Sequence, residues 1–283
     1  MIATVAPVPI IPAAPVSPPA PRGGRSRNEL LATVSASRLG TWLGCRLKFY
    51  FRYVLGITKP TTPARHIGSV VHAVLQQWNL ARWRRAPLVG DLVPAVFNKA
   101  WTDAQEGHEI SWDEDESEEA VKATALGLVA TYLRDTPIPA DERPEAVEVL
   151  VEMDLAAQGL PMLVGIIDLV RAGGRIVDFK TTGKTPNAGL TLHTNEVQLT
   201  AYSLLYRDAT GRREAAVELH HLVKLKTPKI AVVESGPATE AQTTRFFRLV
   251  ESYVRGVETE DYVPAPGFQC ACCEFLNECR AWR

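Results

Sequence analysis

The stretch Gly165-Ile166-Ile167-Asp168-Leu169-Val170-Arg171-Ala172-Gly173-Gly174-Arg175-Ile176-Val177-Asp178-Phe179-Lys180 decides how this chain is read. It has the pattern of two strands joined by a tight glycine turn. Each strand carries a carboxylate, and a lysine follows the second by two residues. Side chains alternate along a strand, so Asp178 and Lys180 share one face while Phe179 turns to the core. Asp168 joins them only if it pairs opposite Asp178, which requires an odd-numbered loop. Ala172-Gly173-Gly174, with a glycine free to take positive φ, supplies one. Opposite residues hold Cβ atoms about 4.5–5.5 Å apart, and at that spacing two carboxylates can share a hard cation such as Mg2+. Asp-x-Lys alone is more often a solvated strand face. Here Leu163 to Ile167 and Arg175 to Val177 are apolar enough to be buried, and buried charge is costly without a task.

Outward from this hairpin, the 283 residues can hold one large domain or two small ones. With 46% hydrophobic residues and a formal net charge of -1, the chain is globular and has no overall basic footprint. That argues against a coating nucleic-acid binder and leaves room for a local basic groove. No apolar run reaches the roughly 20 residues of a membrane span. Prolines interrupt Met1 to Pro21 and no basic segment precedes it, so the expectation is a cytoplasmic protein without a secretory leader or membrane partner. Residues 1–34 are expected to be a disordered Pro/Ala-rich tail.

Ser35 suits the N-cap of a helix running to about Tyr53, with Leu39, Trp42, Leu43, Leu47 and Tyr50 at helical spacing and Cys45 inside it. A second helix, about Ala64 to Trp83, places His72 four residues after Gly68 on the same face. Helices continue on both sides of an acidic linker from Asp103 to Glu119, so residues 64–145 form a helical part. Residues 146–234 form the sheet core. Ala146 to Leu155 alternates as a strand carrying Glu148, Glu152 and Asp154. A polar loop spans Thr181 to Thr194, and a helix from about Asn195 to Ala209 bears Gln198 and Tyr202 one turn apart. Val217 to Lys226 and Ile230 to Glu234 read as a hairpin, and Ala238 to Gly256 as a helix.

Four of five cysteines crowd the segment 260–283. Cys270-x2-Cys273-x5-Cys279 is a compact set of soft ligands, and a four-thiolate site needs one more. Adjacent cysteines do not easily share one site, so distant Cys45 is a better fourth ligand than Cys272. Spacing does not choose between an iron–sulfur cluster and a structural zinc.

The order of these pieces resembles the RecB-like branch of the PD-(D/E)xK nuclease superfamily, within it the group with a four-cysteine 4Fe-4S cluster, such as CRISPR-adaptation nucleases and phage RecB-like exonucleases. The matching pieces are Cys45, Gly68-x3-His72, Glu152, Gly165-x2-Asp168, Asp178-Phe179-Lys180, Gln198-x3-Tyr202 and the terminal cysteines, across residues 35–283. The resemblance implies a restriction-endonuclease-like α/β core, a central mixed sheet flanked by helices, with a helical insertion and an iron–sulfur-bearing terminal segment. It implies that His72, Asp168, Asp178 and the Phe179 carbonyl bind Mg2+ or Mn2+. Lys180 would then orient or activate the attacking water, with Gln198, Tyr202 and Glu152 as further catalytic residues. Cys45, Cys270, Cys273 and Cys279 would hold a 4Fe-4S cluster, with zinc as the alternative. The implied activity is a metal-dependent DNA nuclease, an exonuclease on single-stranded ends in recombination or repair, with a helicase or integration partner. The rival is a catalytically silent nucleic-acid-binding or assembly module. Asp178 stands where many relatives carry Glu, and Arg46 where proline is common.

Overall fold

In a computed structural model, residues 23–86, 88, 92–107, 109–112 and 117–283 are described; the tail expected at 1–22 lies outside them. Helices α1 (Arg27–Ala32), α2 (Ala36–Gly44), α3 (Arg46–Phe49), α4 (Pro63–Trp83), α5 (Leu92–Gln105) and α6 (Glu118–Asp135) come first, interrupted only by the short strand β1 (Thr33–Val34). Then follow β2 (Ala146–Met153), β3 (Met162–Arg171), β4 (Arg175–Thr182), α7 (Ala188–Thr194), α8 (Glu196–Thr210), β5 (Ala216–Val223), β6 (Lys229–Ser235), α9 (Glu240–Glu258) and α10 (Leu276–Ala281).

The strands make one mixed sheet of six, with β2 antiparallel to β3, β3 antiparallel to β4, β4 parallel to β5 and β5 antiparallel to β6. All eight residues of β5 are buried, including Glu218, His220 and His221, because helices cover both faces of the sheet. One core packs α1, α2, α8 and α9 on one face through Leu30, Trp42, Tyr202, Tyr206, Phe246 and Tyr253. The other packs α4, α5 and α6 on the opposite face through Val70, Val74, Phe97, Leu128, Tyr132 and Phe179. Thr62 caps α4 by accepting the Arg65 N–H, and Pro63 opens its first turn, where a missing N–H costs nothing.

The β3–β4 hairpin has the register expected of it. Arg171 pairs with Arg175 across Ala172-Gly173-Gly174, and both glycines take positive φ, 77° and 74°. Leu163 pairs with Val34 on β1 and Met153 on β2, so these lie on opposite edges of β3. Leu169 likewise lies between Val147 on β2 and Val177 on β4. β1 and β4 therefore share one edge of β3 at its two ends, and the stretch between carries no strand pairing on that side. The β3–β4 ladder stops at Leu169–Val177, just before the two aspartates.

Four expectations need correction. The ordered chain begins earlier than residue 35, because Ser26 and Glu29 form a capping box for α1 and Leu30 is fully buried. The helix expected from Ser35 to Tyr53 is broken at Cys45, whose extended backbone ends α2 and whose sulfur caps α3; a π-helical turn then covers Tyr50–Val54. The loop expected at 181–194 contains α7, capped by Asn187. In β2, alternation fails at Glu148, which has φ 46°. Val147 and Val149, two apart, therefore face opposite cores.

Candidate active site

The two aspartates sit where β3 and β4 part. Beyond the last ladder pair, the Asp168 carboxylate accepts the Phe179 N–H at 2.9 Å, standing in for a lost strand–strand bond. Asp168 is 8% and Asp178 2% exposed, so both carboxylates are removed from water. Phe179 fills the α4-side core, as alternation requires, and leaves its backbone carbonyl facing α4. There His72 donates from Nε2 to the Phe179 carbonyl at 2.7 Å. A carbonyl only accepts, so the proton is on Nε2. Nδ1 lies 3.3 Å from Asp168 Oδ2, a pair of atoms that either a proton or a cation between them satisfies.

α8 supplies the opposite wall. Gln198 donates from Nε2 to Asp178 Oδ1 at 2.9 Å and to the Tyr202 hydroxyl at 2.8 Å; Tyr202 donates to the same Oδ1 at 3.2 Å. Lys180 donates from Nζ to Gln198 Oε1 at 2.9 Å. Its Nζ also forms an ion pair with Asp178 Oδ2 at 2.7 Å, and that buried oxygen has no other partner. Gln198 thus ties the lysine to the second aspartate, and the i, i+4 spacing with Tyr202 is what lets one helix face do both.

Glu152, read from the sequence as a site acid, is exposed and pairs across to Val164, away from this centre. The acid that β2 contributes is Glu148. Donor atoms of His72, Glu148 and Asp168 lie within 4.8 Å of one another, a group able to hold a metal ion; Asp178 lies outside that group of three. The positive φ at Glu148 is the physical reason: it turns the side chain toward Asp168, and strict alternation could not show it. The signal available in sequence was only a glutamate in the strand next to Asp168. Burial, then repulsion from Asp168 and Asp178, pushes the Glu148 carboxyl up to about 8. Burial likewise pushes Asp168 up to about 6, although His72, the Phe179 N–H and Lys180 pull the other way.

A second cluster forms at the chain's end. Cys45, Cys270, Cys273 and Cys279 line one cavity with Leu47, Phe51 and Phe275. Cys272 is exposed and takes no part in that lining. Burial and the neighbouring Cys45, Cys270 and Cys273 raise the Cys279 thiol. Ion pairs Arg46–Asp261, Arg52–Glu274 and Lys59–Glu278 fasten the terminal segment to the region of α3.

Fold and site together define a class: α/β proteins with an acid–lysine centre built where two strands of a mixed sheet diverge. A family model of the PD-(D/E)XK nuclease superfamily matches residues 33–280, and the chain belongs to that superfamily. Among solved structures it is similar to one from Eubacterium rectale named "Putative exonuclease", at 15% identity over 91% of each chain with a TM-score of 0.55, which shows a shared fold. An alkaline exonuclease from Laribacter hongkongensis is similar over 82% of this chain and 93% of its own, at 11% identity, and its TM-score of 0.30 carries no argument. No curated protein matches the chain. No helix among the described residues is long and apolar enough to cross a membrane.

Proposed function

We propose that this protein is a Mg2+- or Mn2+-dependent DNA nuclease of the RecB-like branch, an exonuclease acting on single strands during recombination or repair. The observation that carries this reading is Lys180, held by Gln198 beside Asp178 at the mouth of the His72–Glu148–Asp168 group. A silent binding module would have no use for a lysine so placed, nor for three mutually repelling acids.

The residues fit a divalent cation. Asp178 Oδ2 is buried with only the Lys180 ammonium beside it, and Nδ1 of His72 faces the Asp168 carboxylate. His72, Glu148 and Asp168 would hold the ion, with Asp178 and the Phe179 carbonyl beside them, a set of hard oxygen donors with one imidazole nitrogen. A cation bound there would draw charge from a phosphoryl oxygen and acidify the attacking water. Lys180 positions that water and offsets the negative charge that grows on the phosphate as the P–O bond breaks. Gln198 and Tyr202 keep Asp178 from turning away. The test is cleavage of end-labelled single- and double-stranded DNA with Mg2+ or Mn2+. Nucleotides released stepwise from single strands are expected, and no cleavage under any metal sinks the reading.

The cysteine cavity would hold a 4Fe-4S cluster. Four thiols around one cavity suit either that group or zinc, and the resemblance to cluster-bearing nucleases favours the cluster, which would tie Cys45 to the terminal segment as a metal-closed loop. Protein purified without oxygen is expected to absorb at about 400 nm, and Cys279→Ala to lose that band and melt lower. An unchanged spectrum excludes the cluster.

A further inference from the structure

The helix that carries His72 lies along β4 well beyond the metal group. Its contacts with the strand advance in step. His72 meets the Phe179 carbonyl at 2.7 Å. Gly68, one turn earlier, lets the backbone approach so closely that a Cβ there would stand 3.4 Å from the Thr181 hydroxyl. One turn earlier again, Ala64 and Gly183 both line a cavity of about 530 Å³, which Thr62, Ser111, Thr124 and Lys224 also border. The cavity therefore lies two turns of α4 from His72, along the same contact between α4 and β4.

We infer that this cavity is a subsite for the DNA strand, gripping phosphates a few nucleotides from the bond that is cut, with Lys224 as its cation. The inference rests on the nuclease reading above and names where its substrate lies. Eight residues of α4 separate Ala64 from His72, about 12 Å at helical rise. A stacked strand advances about 3.4 Å per nucleotide, so roughly three or four nucleotides span the distance. The volume falls in the usual range for ligand sites, and hydroxyls with an amine suit sugar and phosphate better than an apolar ligand.

Charge points the same way. The cavity lining includes Lys224 and no carboxylate. Lys224 forms no ion pair among the described residues, and neither do Lys184 and Lys226, which follow the lining residues Gly183 and Leu225 in the chain. Lys224 is also anchored, since its backbone N–H donates to the Thr182 carbonyl at 2.7 Å. A lysine without an ion pair among the described residues gives such a cavity a local attraction for anions.

The experiment measures fluorescence anisotropy of labelled single-stranded hexanucleotide and dinucleotide on the full chain, without divalent metal. The hexanucleotide reaches the cavity and the dinucleotide does not. Lys224→Glu is expected to weaken hexanucleotide binding about tenfold, and Lys224→Ala to flatten the slope of log K against log salt by about 0.7, one phosphate contact on a single strand. Thr124 is exposed on the cavity wall, so Thr124→Glu should fold and also weaken only the longer ligand. Wild-type affinity for the hexanucleotide in both glutamate variants overturns the subsite. Hydrolysis of bis(p-nitrophenyl) phosphate by the unaltered protein reports separately on the catalytic centre. Hydrolysis together with unaltered hexanucleotide binding removes the subsite alone. Absence of hydrolysis and of DNA cleavage removes the nuclease reading, while the binding comparison still decides whether a strand lies here.

Discussion

The two ends of the β3–β4 hairpin are both crowded with buried acids, and they treat them in opposite ways. At the turn, Arg171 grips Glu142 at 2.8 and 2.9 Å and reaches Glu218 at 3.0 Å, while Arg175 meets Glu218 at 2.5 Å. His220 donates to Glu218 at 2.7 Å and accepts from Tyr132 at 2.8 Å. Burial pushes the Glu218 carboxyl up, but the bonds from His220 and Arg175 win and hold it down at about 2. At the other end, Glu148, Asp168 and Asp178 share one lysine and one histidine, and the first two acids are pushed up instead. Acids matched by the protein's own cations brace a fold. Acids left short of them are set to receive a cation from outside.

The largest expected effect breaks the open end only. Asp178→Asn or Lys180→Ala should lower cleavage by about 10²–10³-fold or more, with the melting temperature close to wild type. Normal turnover in either variant would remove this centre from the chemistry. At the matched end, Glu218→Gln takes one acid from the half-buried Arg171 and Arg175, which keep Glu142 and Glu234, and should cost about 1–3 kcal/mol of stability in urea unfolding. A loss below about 1 kcal/mol would mean that the network braces little. Sharper still, Glu148→Gln should raise the Mg2+ concentration for half-maximal cleavage about 10- to 100-fold. Glu152→Gln, on the exposed side of the strand, should leave it unchanged; the reverse result would restore Glu152 as the site acid.

The smallest effect is in pH, and its sign differs between the ends. Glu218 has a depressed folded value, so its contribution is complete above the ordinary 4.5 and is lost as pH falls toward about 2. Glu148 and Asp168 have raised folded values, so without a cation they oppose folding increasingly as pH climbs from about 4 to about 8. The rise in melting temperature on adding Mg2+ should therefore be larger at pH 8 than at pH 5. An equal rise at both would show that the acids were never in conflict.

Much of this was legible in the letters. The three-residue glycine turn set the hairpin register, Phe179 went to the core, and Gln198 and Tyr202 shared a helix face as their spacing required. Cys45 reached the terminal cysteines, but at a break that continuous apolar periodicity concealed, because only its φ of -167° separates two helices that read as one. Glu148 escaped for a related reason. Alternation assumes ordinary extended backbone, and a single positive φ in a strand exchanges the faces beyond it. The Ser26–Glu29 capping box was readable and was masked by the proline-rich stretch before it.

The short turn at Ala172–Gly174 has a consequence for chemistry it never touches. It lies four residues from each aspartate, about 13 Å of strand, and with the three ladder pairs beside it sets which residue of β3 meets which of β4. An added residue there would slide the partners by one step and swing the second acid and its lysine to the wrong side of the sheet. The gauge for catalysis is thus kept at the far end of the ribbon, and a length change in an exposed loop would silence the enzyme as surely as losing a ligand.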